Sequence, residues 1–269
     1  MVKKYIDHFD LSEIAGSGQC FRWKETASES VRVIAFGRVL NMRSCESEPG
    51  FYEFDCSEEE WESIWAPYFD LDTDYEAIEA RIKKSGDAHL LEAFESGSGI
   101  RILKQNLWEI IISFLISQNN NISRIKNSVE ALCREGGIKA MGDGEEFSFP
   151  MPGDIDSKVF EQVNLGLGYR VPYLKEMYEY ASEHPSWLES LKTMNYEDAR
   201  AELLKRKGIG PKVADCICLF GLHHIDAFPI DTHVKQLLAK YYPNGFNHEY
   251  FKGVAGVIQQ YLFYYELMH

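Results

Sequence analysis

The sequence has no long hydrophobic run, and this absence argues against helices that span a membrane. No apolar stretch approaches the roughly 20 residues that such a helix needs. The first ten residues, MVKKYIDHFD, lack the apolar segment of a secretory signal peptide. Because 45% of the 269 residues are hydrophobic, the chain can still bury a sizeable core. We therefore expect a globular protein of the cytoplasm, with one large or two ordinary domains and no contact with a membrane.

Cysteines are few, and they lack the paired spacings that mark a zinc site. The chain has six of them, scattered along its length: Cys20, Cys45, Cys56, Cys133, Cys216 and Cys218. In a cytoplasmic protein, scattered cysteines are more often reduced thiols than disulfides or metal ligands. We expect no bound metal.

Positive charge is also scarce, which argues against a nucleic-acid partner when it is considered alone. The chain has 28 Lys and Arg against 42 Asp and Glu, for a net charge of −14. The acids are unevenly placed, however, and six of them lie between Glu53 and Glu62. Screening at physiological salt acts over roughly 8 Å, so a distant acidic face need not repel DNA from a basic patch. Charge alone does not exclude DNA binding.

Hydrophobic patterning predicts an α+β protein with a small antiparallel sheet before a mainly helical part. From about His8 to Phe54 the short segments FRW, VRVIAF, RVLNMRS and GFYEF are separated by turn-forming breaks. From Ser57 onward the pattern turns helical, with a nearly all-apolar helix after Asn106. Longer helices are predicted for SWLESLKTMNYEDARAELLKRK, with Asn195 as an N-cap for its last part, and from about His248 to Leu267. We place the domains at residues 1–70 and 71–269.

The stretch from Leu204 to His233 carries the strongest chemical signal. A charged helical run meets Gly208-Ile209-Gly210, and Pro211 then starts a second helix. Backbone N–H groups at such a turn have no intrahelical partner and point at an approaching anion, such as a DNA phosphate. Four basic residues and no acid lie between Leu204 and Ala214. This helix-hairpin-helix signature predicts a positive grip that is independent of base sequence.

Lys212 and Asp231 are the candidate catalytic pair. Lys212 lies in the first turn of the second helix, where the helix dipole and neighbouring cations favour a neutral, nucleophilic amine. The alternative is a solvated lysine that touches phosphate. Asp231 precedes the helical run THVKQLLAKYY and is a predicted N-cap. A carboxylate held there can also stabilise positive charge that develops on a sugar.

The residues GIGPKVADC, followed by PIDTH, resemble the pattern of base-excision DNA glycosylases, and most closely that of the 8-oxoguanine DNA glycosylases. The resemblance covers nearly the whole chain. It implies a helix-hairpin-helix glycosylase domain, a DNA cleft between the two domains, no cofactor, and a monomer that binds double-stranded DNA containing an oxidised purine, in the nucleus if the cell is eukaryotic. It also implies that Lys212 attacks the sugar to form a Schiff base, that Asp231 stabilises the cationic sugar, and that β-elimination then cleaves the strand.

The resemblance further assigns Gly18, Cys216, Gln259 and Phe263 to the pocket for the damaged base. Guanine N7 is an acceptor, whereas 8-oxoguanine carries a proton there, so a fixed Gly18 carbonyl accepts from the lesion and repels the normal base. Cys216 and Phe263 would cover the two faces of the base, and Gln259 would match its mixed edge. From the residues alone, Gly18 is an ordinary strand turn, and Cys216 and Phe263 are core.

Four residues are assigned to the duplex by the same resemblance: Asn119, Arg124, Tyr169 and Arg170. Asn119 would lie near the vacated stack, Tyr169 would wedge into the duplex, and the two arginines would pair with the orphaned cytosine. From the residues alone, the asparagine run predicts a turn with Asn121 or a neighbour as N-cap. Glycines around the Tyr169-Arg170 pair suggest an exposed aromatic on a tight turn, although without the resemblance a packing role for Tyr169 is favoured.

His233 is assigned a place near a backbone phosphate, with Gly208 and Gly210 of the hairpin. Without the resemblance, a histidine at a helix start is more often structural than functional. Two other classes of function remain open. One is a non-catalytic helix-hairpin-helix binding module, and the other is a glycosylase for an alkylated or mispaired base. Lys212 weighs against the second, because relatives without lyase activity usually lack the lysine.

Overall fold

A five-stranded antiparallel sheet precedes a mainly helical region, which confirms the predicted α+β class. The computed structural model describes residues 1–27, 30–142, 144–156, 158–162 and 164–269. The strand order in the sheet is β1-β5-β4-β3-β2, and every neighbouring pair is antiparallel. The strands are β1 (Val2–Tyr5), β2 (Trp23–Ala27), β3 (Ser30–Ala35), β4 (Arg38–Ser44) and β5 (Phe51–Phe54).

Two elements of this first region differ from the predicted pattern. Strand β1 pairs with β5 in a register that sets Val2 opposite Phe54, although a strand was predicted only from His8 onward. Helix α1 (Leu11–Gly16) lies where a strand was expected. Its N-cap, Asp10, accepts hydrogen bonds from the amides of Ser12 and Glu13, each at 2.9 Å. This cap and the helical spacing of three apolar residues outweigh the strand-like composition of the surroundings.

The remaining chain is helical. A short helix α2 (Glu58–Glu60), a π-helical turn (Trp61–Trp65) and α3 (Ala66–Tyr68) follow one another without a break. The later helices are α4 (Tyr75–Ser85), α5 (Ala88–Ser96), α6 (Leu107–Ser117), α7 (Ile122–Gly136), α8 (Val159–Gln162), α9 (Val171–Glu183), α10 (Trp187–Thr193), α11 (Tyr196–Leu203), α12 (Pro211–Phe220), α13 (Thr232–Tyr241) and α14 (Ala255–Met268). A single 3₁₀ turn, Gly168–Arg170, precedes α9.

Asparagine and aspartate side chains set several helix starts. Asn121 and Asn195 accept the amide hydrogens of Arg124 and Asp198, each at 2.9 Å, so both predicted N-caps are confirmed. Asn195 also divides α10 from α11, where a single helix was predicted. The last helix was predicted to begin near His248, which was wrong. The chain forms turns as far as Val254, because Gly253 has a φ of +88° that a helix excludes.

Two apolar clusters form the core. One joins the sheet to the helices before residue 70 and includes Trp23, Phe54 and Trp65. The other is built around α6, which is buried on nearly all sides as predicted. Among the described residues, the only buried member of the first cluster from beyond residue 70 is Leu103, and the only one of the second from before it is Phe21. We propose that the domain boundary lies at residue 70 on this basis.

Candidate active site

The helix-hairpin-helix turn joins α11 to α12 as predicted. Gly208 has a φ of +84°, and a Cβ atom there would lie 2.6 Å from the Tyr173 ring, so the position requires glycine on both counts. Gly210 is the N-cap of α12, and no side chain caps the helix. A Cβ atom at Gly210 would meet nothing within 4 Å. The start of α12 is therefore open to an anion that its backbone N–H groups can bind.

The positive charge predicted at this turn is largely offset in the fold. The ammonium of Lys205 lies 2.7 Å from the Glu202 carboxylate, and that of Lys207 lies 3.8 Å from Glu176. Arg206 lies over the Tyr180 ring, with 3.9 Å between its Cζ atom and the ring centroid. Both acids lie outside the sequence window that suggested a positive grip. The basic side chains of this turn are therefore less available to an anion than the backbone amides at the start of α12.

The two predicted catalytic residues and all four predicted base-binding residues line one pocket. They come from four places in the chain: the Gly18 turn, α12, the start of α13, and α14. The pocket is completed by Ser17, Phe114, Phe220, Pro229 and Gln260. Its cavity measures about 30 Å³, which holds a few water molecules at most and not a purine.

Lys212 lies over an aromatic floor. Its ammonium nitrogen is 5.2 Å from the centroid of the Phe114 ring, which stacks on Phe220 at 5.5 Å. Cys216 is buried one helical turn further along α12. Burial raises the pKa of its thiol to about 11, against the opposing effect of Lys212. Cys216 is thus a neutral thiol near pH 7, and a thiol is a weaker nucleophile than a thiolate.

Asp231 caps α13 and also faces the pocket. Its Oδ1 accepts the amide hydrogen of Val234 at 2.9 Å, which confirms the predicted N-cap. Because this hydrogen bond fixes the Asp231 side chain, its carboxylate keeps the same position when a substrate binds. The structural role and a catalytic role are compatible.

The base-binding candidates show two features that suit ligand recognition. Gly18 has a φ of +75°, and a Cβ atom there would lie 3.3 Å from the Phe263 ring, so the ring packs closely on the turn. Gln259 is 4% exposed, and its Oε1 has no hydrogen-bond partner among the described residues. A buried amide oxygen without a partner is unfavourable. Such an atom is suited to accept a hydrogen bond from a ligand.

The residues assigned to the duplex lie on two adjoining turns. Asn119 is exposed with a φ of +46°, and Arg124 is exposed in the first turn of α7. Tyr169 is 53% exposed, so the prediction of an exposed aromatic is confirmed. Its hydroxyl donates to the carbonyl of Gln118 at 3.1 Å, which brings the second turn against the first.

Arg170 is placed differently from the other three. It is 7% exposed, and its guanidinium donates to the carbonyls of Gln118 at 2.9 Å, Asn119 at 2.9 Å and Leu167 at 3.1 Å. The group also lies over the Tyr169 ring, with 4.5 Å between its Cζ atom and the ring centroid. In this conformation Arg170 anchors the two turns. Pairing with a base would require it to leave these carbonyls.

The remaining predicted contact, His233, is exposed in the first turn of α13. It shares this helix start with Asp231. Within the described ranges, no three His, Cys, Asp or Glu side chains are arranged to hold a metal ion. No helix among those residues is long and apolar enough to cross a membrane.

Sequence reasoning missed several pocket residues. Phe114 belongs to the apolar helix predicted after Asn106, and it is buried, but it also forms the floor beneath Lys212. Gln260 was not singled out. The doubled glutamine in the otherwise apolar run VIQQYLF was the available signal, since a helix that is apolar nearly all round is buried and its polar residues are buried with it.

A helix-hairpin-helix turn, an amine on the helix after it, and a carboxylate at the next helix start together define the class of helix-hairpin-helix DNA glycosylases. Residues 1–111 match the family of the 8-oxoguanine DNA glycosylase N-terminal domain. The N-glycosylase/DNA lyase of Saccharomyces cerevisiae is 32% identical over 90% of this chain and 70% of its own length. The chain belongs to the 8-oxoguanine DNA glycosylase/lyase family, which confirms the resemblance seen in the sequence.

Other relatives agree with this assignment. The N-glycosylase/DNA lyase of Arabidopsis thaliana is 28% identical over 84% of this chain and 64% of its own length. A crystal structure of the Clostridium acetobutylicum 8-oxoguanine glycosylase/lyase, bound to double-stranded DNA with cytosine opposite 8-oxoG, is 34% identical with a TM-score of 0.88. That match covers 98% of this chain and 93% of the other.

Proposed function

We propose that this chain excises 8-oxoguanine paired with cytosine from double-stranded DNA, through a Schiff base on Lys212, and then cleaves the abasic strand. The observation that carries the proposal is the pocket, in which all six predicted catalytic and base-binding residues meet although they are far apart in the chain. Membership of the 8-oxoguanine DNA glycosylase/lyase family supports the proposed reaction. The proposed roles of individual residues are based on the geometry of the pocket.

The reaction begins with the Lys212 amine. It attacks C1′ of the damaged nucleotide, the C1′–N9 bond breaks, and the base departs with the electron pair and takes up a proton. Positive charge on the sugar is stabilised by the fixed Asp231 carboxylate. Loss of a proton from nitrogen and opening of the sugar ring give an iminium. The iminium acidifies the C2′ proton, and its removal expels the 3′ phosphate by β-elimination.

Base selection falls to the opposite side of the pocket. The Gly18 carbonyl accepts the N7 proton of 8-oxoguanine and repels N7 of guanine. The unpartnered Oε1 of Gln259 is available for a donor on the Watson-Crick edge. Cys216 and Phe263 cover the two faces of the base. Because the cavity measures only about 30 Å³, the pocket must widen before a purine can enter.

The duplex is held from outside the pocket. Tyr169 is exposed and enters the stack from which the base has left, next to Asn119. Arg124 is exposed and able to reach the orphaned cytosine with its guanidinium fork. The Clostridium relative was solved with cytosine at this position, which supports the same pairing here. The open start of α12 and His233 contact the phosphates.

A panel of duplexes tests the proposal against the two alternatives. Base release and strand cleavage are measured with 8-oxoguanine opposite each of the four bases, with an alkylated purine, and with a mispaired adenine. We expect release of 8-oxoguanine, fastest opposite cytosine, and loss of both activities in Lys212→Gln. Faster release of the alkylated purine would assign another substrate. Tight binding with no release from any duplex would make the chain a binding module.

A further inference from the structure

Gln260 has no role in the reaction described above, although it lies beside the pocket and is almost completely buried. Only 1% of its surface is exposed. Burying a side-chain amide is unfavourable unless protein hydrogen bonds replace those made to water. The Nε2 atom of Gln260 donates to the main-chain carbonyl of Ser17 at 2.6 Å, across 243 positions of sequence. This bond ties α14 to the turn that contains Gly18.

The bond acts on the peptide that precedes Gly18. The Ser17 carbonyl and the Gly18 N–H belong to one rigid plane, so holding the carbonyl fixes the orientation of both. Ser17 is itself fully buried. Its hydroxyl donates to the carbonyl of Ile14 at 2.8 Å and accepts from the side-chain amide of Gln19 at 2.9 Å. The Gln260 side chain contacts the Ser17–Gly18 peptide from the far side of the pocket.

The peptides that follow Gly18 are held as well. Gln19 is fully buried, and its side chain donates to the carbonyl of Arg101 and accepts from the amide of Leu103, each at 2.9 Å. Its own carbonyl accepts from Gln105 Nε2 at 2.9 Å. Among the described residues, no hydrogen bond uses the Gly18 carbonyl. Gly18 therefore lies between two anchored segments with its carbonyl left to accept from a ligand.

We propose that Gln260 is a positioning residue for specificity, which keeps the Gly18 carbonyl aimed at N7 of the damaged base. The inference rests on the proposed function, since that gives Gly18 its contact with N7. Glycine has no Cβ atom to restrict rotation of the adjoining peptides, so an unanchored Ser17–Gly18 peptide has several accessible orientations. Without the Gln260 donor, the Gly18 carbonyl is no longer aligned to accept the N7 proton of the lesion. It is also no longer aligned to repel N7 of guanine.

The test measures binding, because a dissociation constant can be obtained for variants that do not catalyse base release. In protein carrying Lys212→Gln, dissociation constants are measured for duplexes with 8-oxoguanine or 8-methoxyguanine opposite cytosine. The methoxy group leaves N7 without a proton, so the two bases differ at the atom that the Gly18 carbonyl is proposed to read. We expect Lys212→Gln to prefer 8-oxoguanine by about tenfold or more, and the added Gln260→Met to reduce that preference by about fivefold. Any preference due to the size of the methyl group is common to both proteins.

Tyr261→Phe is the matched control, because Tyr261 is also fully buried on α14 and donates to a main-chain carbonyl, that of Ile100, at 3.5 Å. It should leave the preference unchanged. A merely structural role of Gln260 predicts that Gln260→Met weakens binding of both duplexes by the same factor. If Gln260→Met does not fold, Gln260→Leu also lacks the donor and carries the same test.

The outcomes separate the two proposals. If Lys212→Gln shows no preference for 8-oxoguanine, the role of Gly18 in the proposed function is wrong, whatever Gln260 does. If that preference is present and survives both Gln260 variants within about twofold, only the inference about Gln260 is overturned. A preference lost with Gln260→Met and retained with Tyr261→Phe supports it.

Discussion

The guanidinium of Arg170 donates a 2.9 Å hydrogen bond to the carbonyl of Asn119, and this bond joins the two turns that face the duplex. The same group also bonds Gln118 and Leu167 while it is 7% exposed. Arg124, on the neighbouring helix start, is exposed. The family resemblance assigned Arg124 and Arg170 the same role, but their surroundings in the fold differ. Substitution of each arginine should therefore have a different effect.

Arg170→Gln and Arg124→Gln should separate stability from recognition. Loss of the Arg170 side chain removes a donor from three main-chain carbonyls, of which Gln118 keeps the Tyr169 hydroxyl and Leu167 keeps the Arg170 amide. We therefore expect the free energy of unfolding to fall by about 1 to 3 kcal/mol. Loss of Arg124 should change it by about 0.5 kcal/mol or less, and should reduce the preference for cytosine over adenine opposite the lesion. Chemical denaturation and base release on both duplexes provide the measurements. Equal stability losses in the two variants would contradict this account.

Tyr169 should act through its ring. Removing the ring in Tyr169→Ala takes away the group that offsets the cost of unstacking the base, so we expect base release to slow by about tenfold or more. Tyr169→Phe loses only the 3.1 Å hydrogen bond to Gln118 and should stay within about threefold of the wild type. Single-turnover base release from an 8-oxoguanine duplex distinguishes the two. A larger loss in the phenylalanine variant than in the alanine variant would rule out the wedge.

Replacement of Gly208 by alanine should lower stability, whereas replacement of Gly210 by alanine should lower affinity for DNA. Gly208→Ala forces a Cβ atom to 2.6 Å from the Tyr173 ring at a positive φ, so we expect it to lower the free energy of unfolding by about 1 to 3 kcal/mol. Gly210→Ala has open space around the new methyl group and should fold normally. That methyl group lies where a phosphate would approach, so affinity for damaged and intact duplex should fall alike. Unchanged affinity in Gly210→Ala would contradict phosphate binding at the start of α12.

Glu109 should make stability depend on pH. Burial raises its pKa to about 7, against the opposing effect of Arg22, whereas its ordinary value is 4.5. Between these values the folded protein binds more protons than the unfolded chain, so stability falls as pH rises through that window. Glu109→Gln removes the effect. We expect the variant to gain about 2 kcal/mol relative to the wild type between pH 5 and pH 8, measured by denaturant unfolding.

The exposed Glu135, on α7, provides the control for this pH dependence. Glu135→Gln makes the same change of net charge at an exposed position, so it separates the effect of burial from the effect of net charge. A constant difference between Glu109→Gln and the wild type at every pH would show that the carboxyl of Glu109 ionises alike in both states.

Features that depend on neighbours in the sequence were predictable. The N-caps Asn121, Asn195 and Asp231 were found because a capping side chain acts only a few residues away. The glycines of the hairpin and the start of α12 at Pro211 follow from backbone preferences. The pocket residues were found through the family resemblance, since spacing alone assigned Cys216 and Phe263 to the core.

Features that depend on contacts between distant segments were not predictable. The acids Glu176 and Glu202 lie outside the basic stretch in sequence, and only the fold sets them beside Lys207 and Lys205. Strand β1 is stabilised by β5, about 50 positions later. The burial of Arg170 and of Gln260 likewise depends on carbonyl groups from other parts of the chain. Pattern and propensity contain no information on such partners.

The most direct test of the account is borohydride trapping on a duplex with one 8-oxoguanine opposite cytosine. Lys212→Gln is compared with the wild type and with Lys207→Gln, which alters an exposed lysine of the same hairpin, and an undamaged duplex serves as the control. We expect a covalent adduct with the wild type and Lys207→Gln only on the damaged duplex, and none with Lys212→Gln. An adduct that persists in Lys212→Gln, or no adduct from the wild type despite tight binding, would contradict Lys212 as the nucleophile.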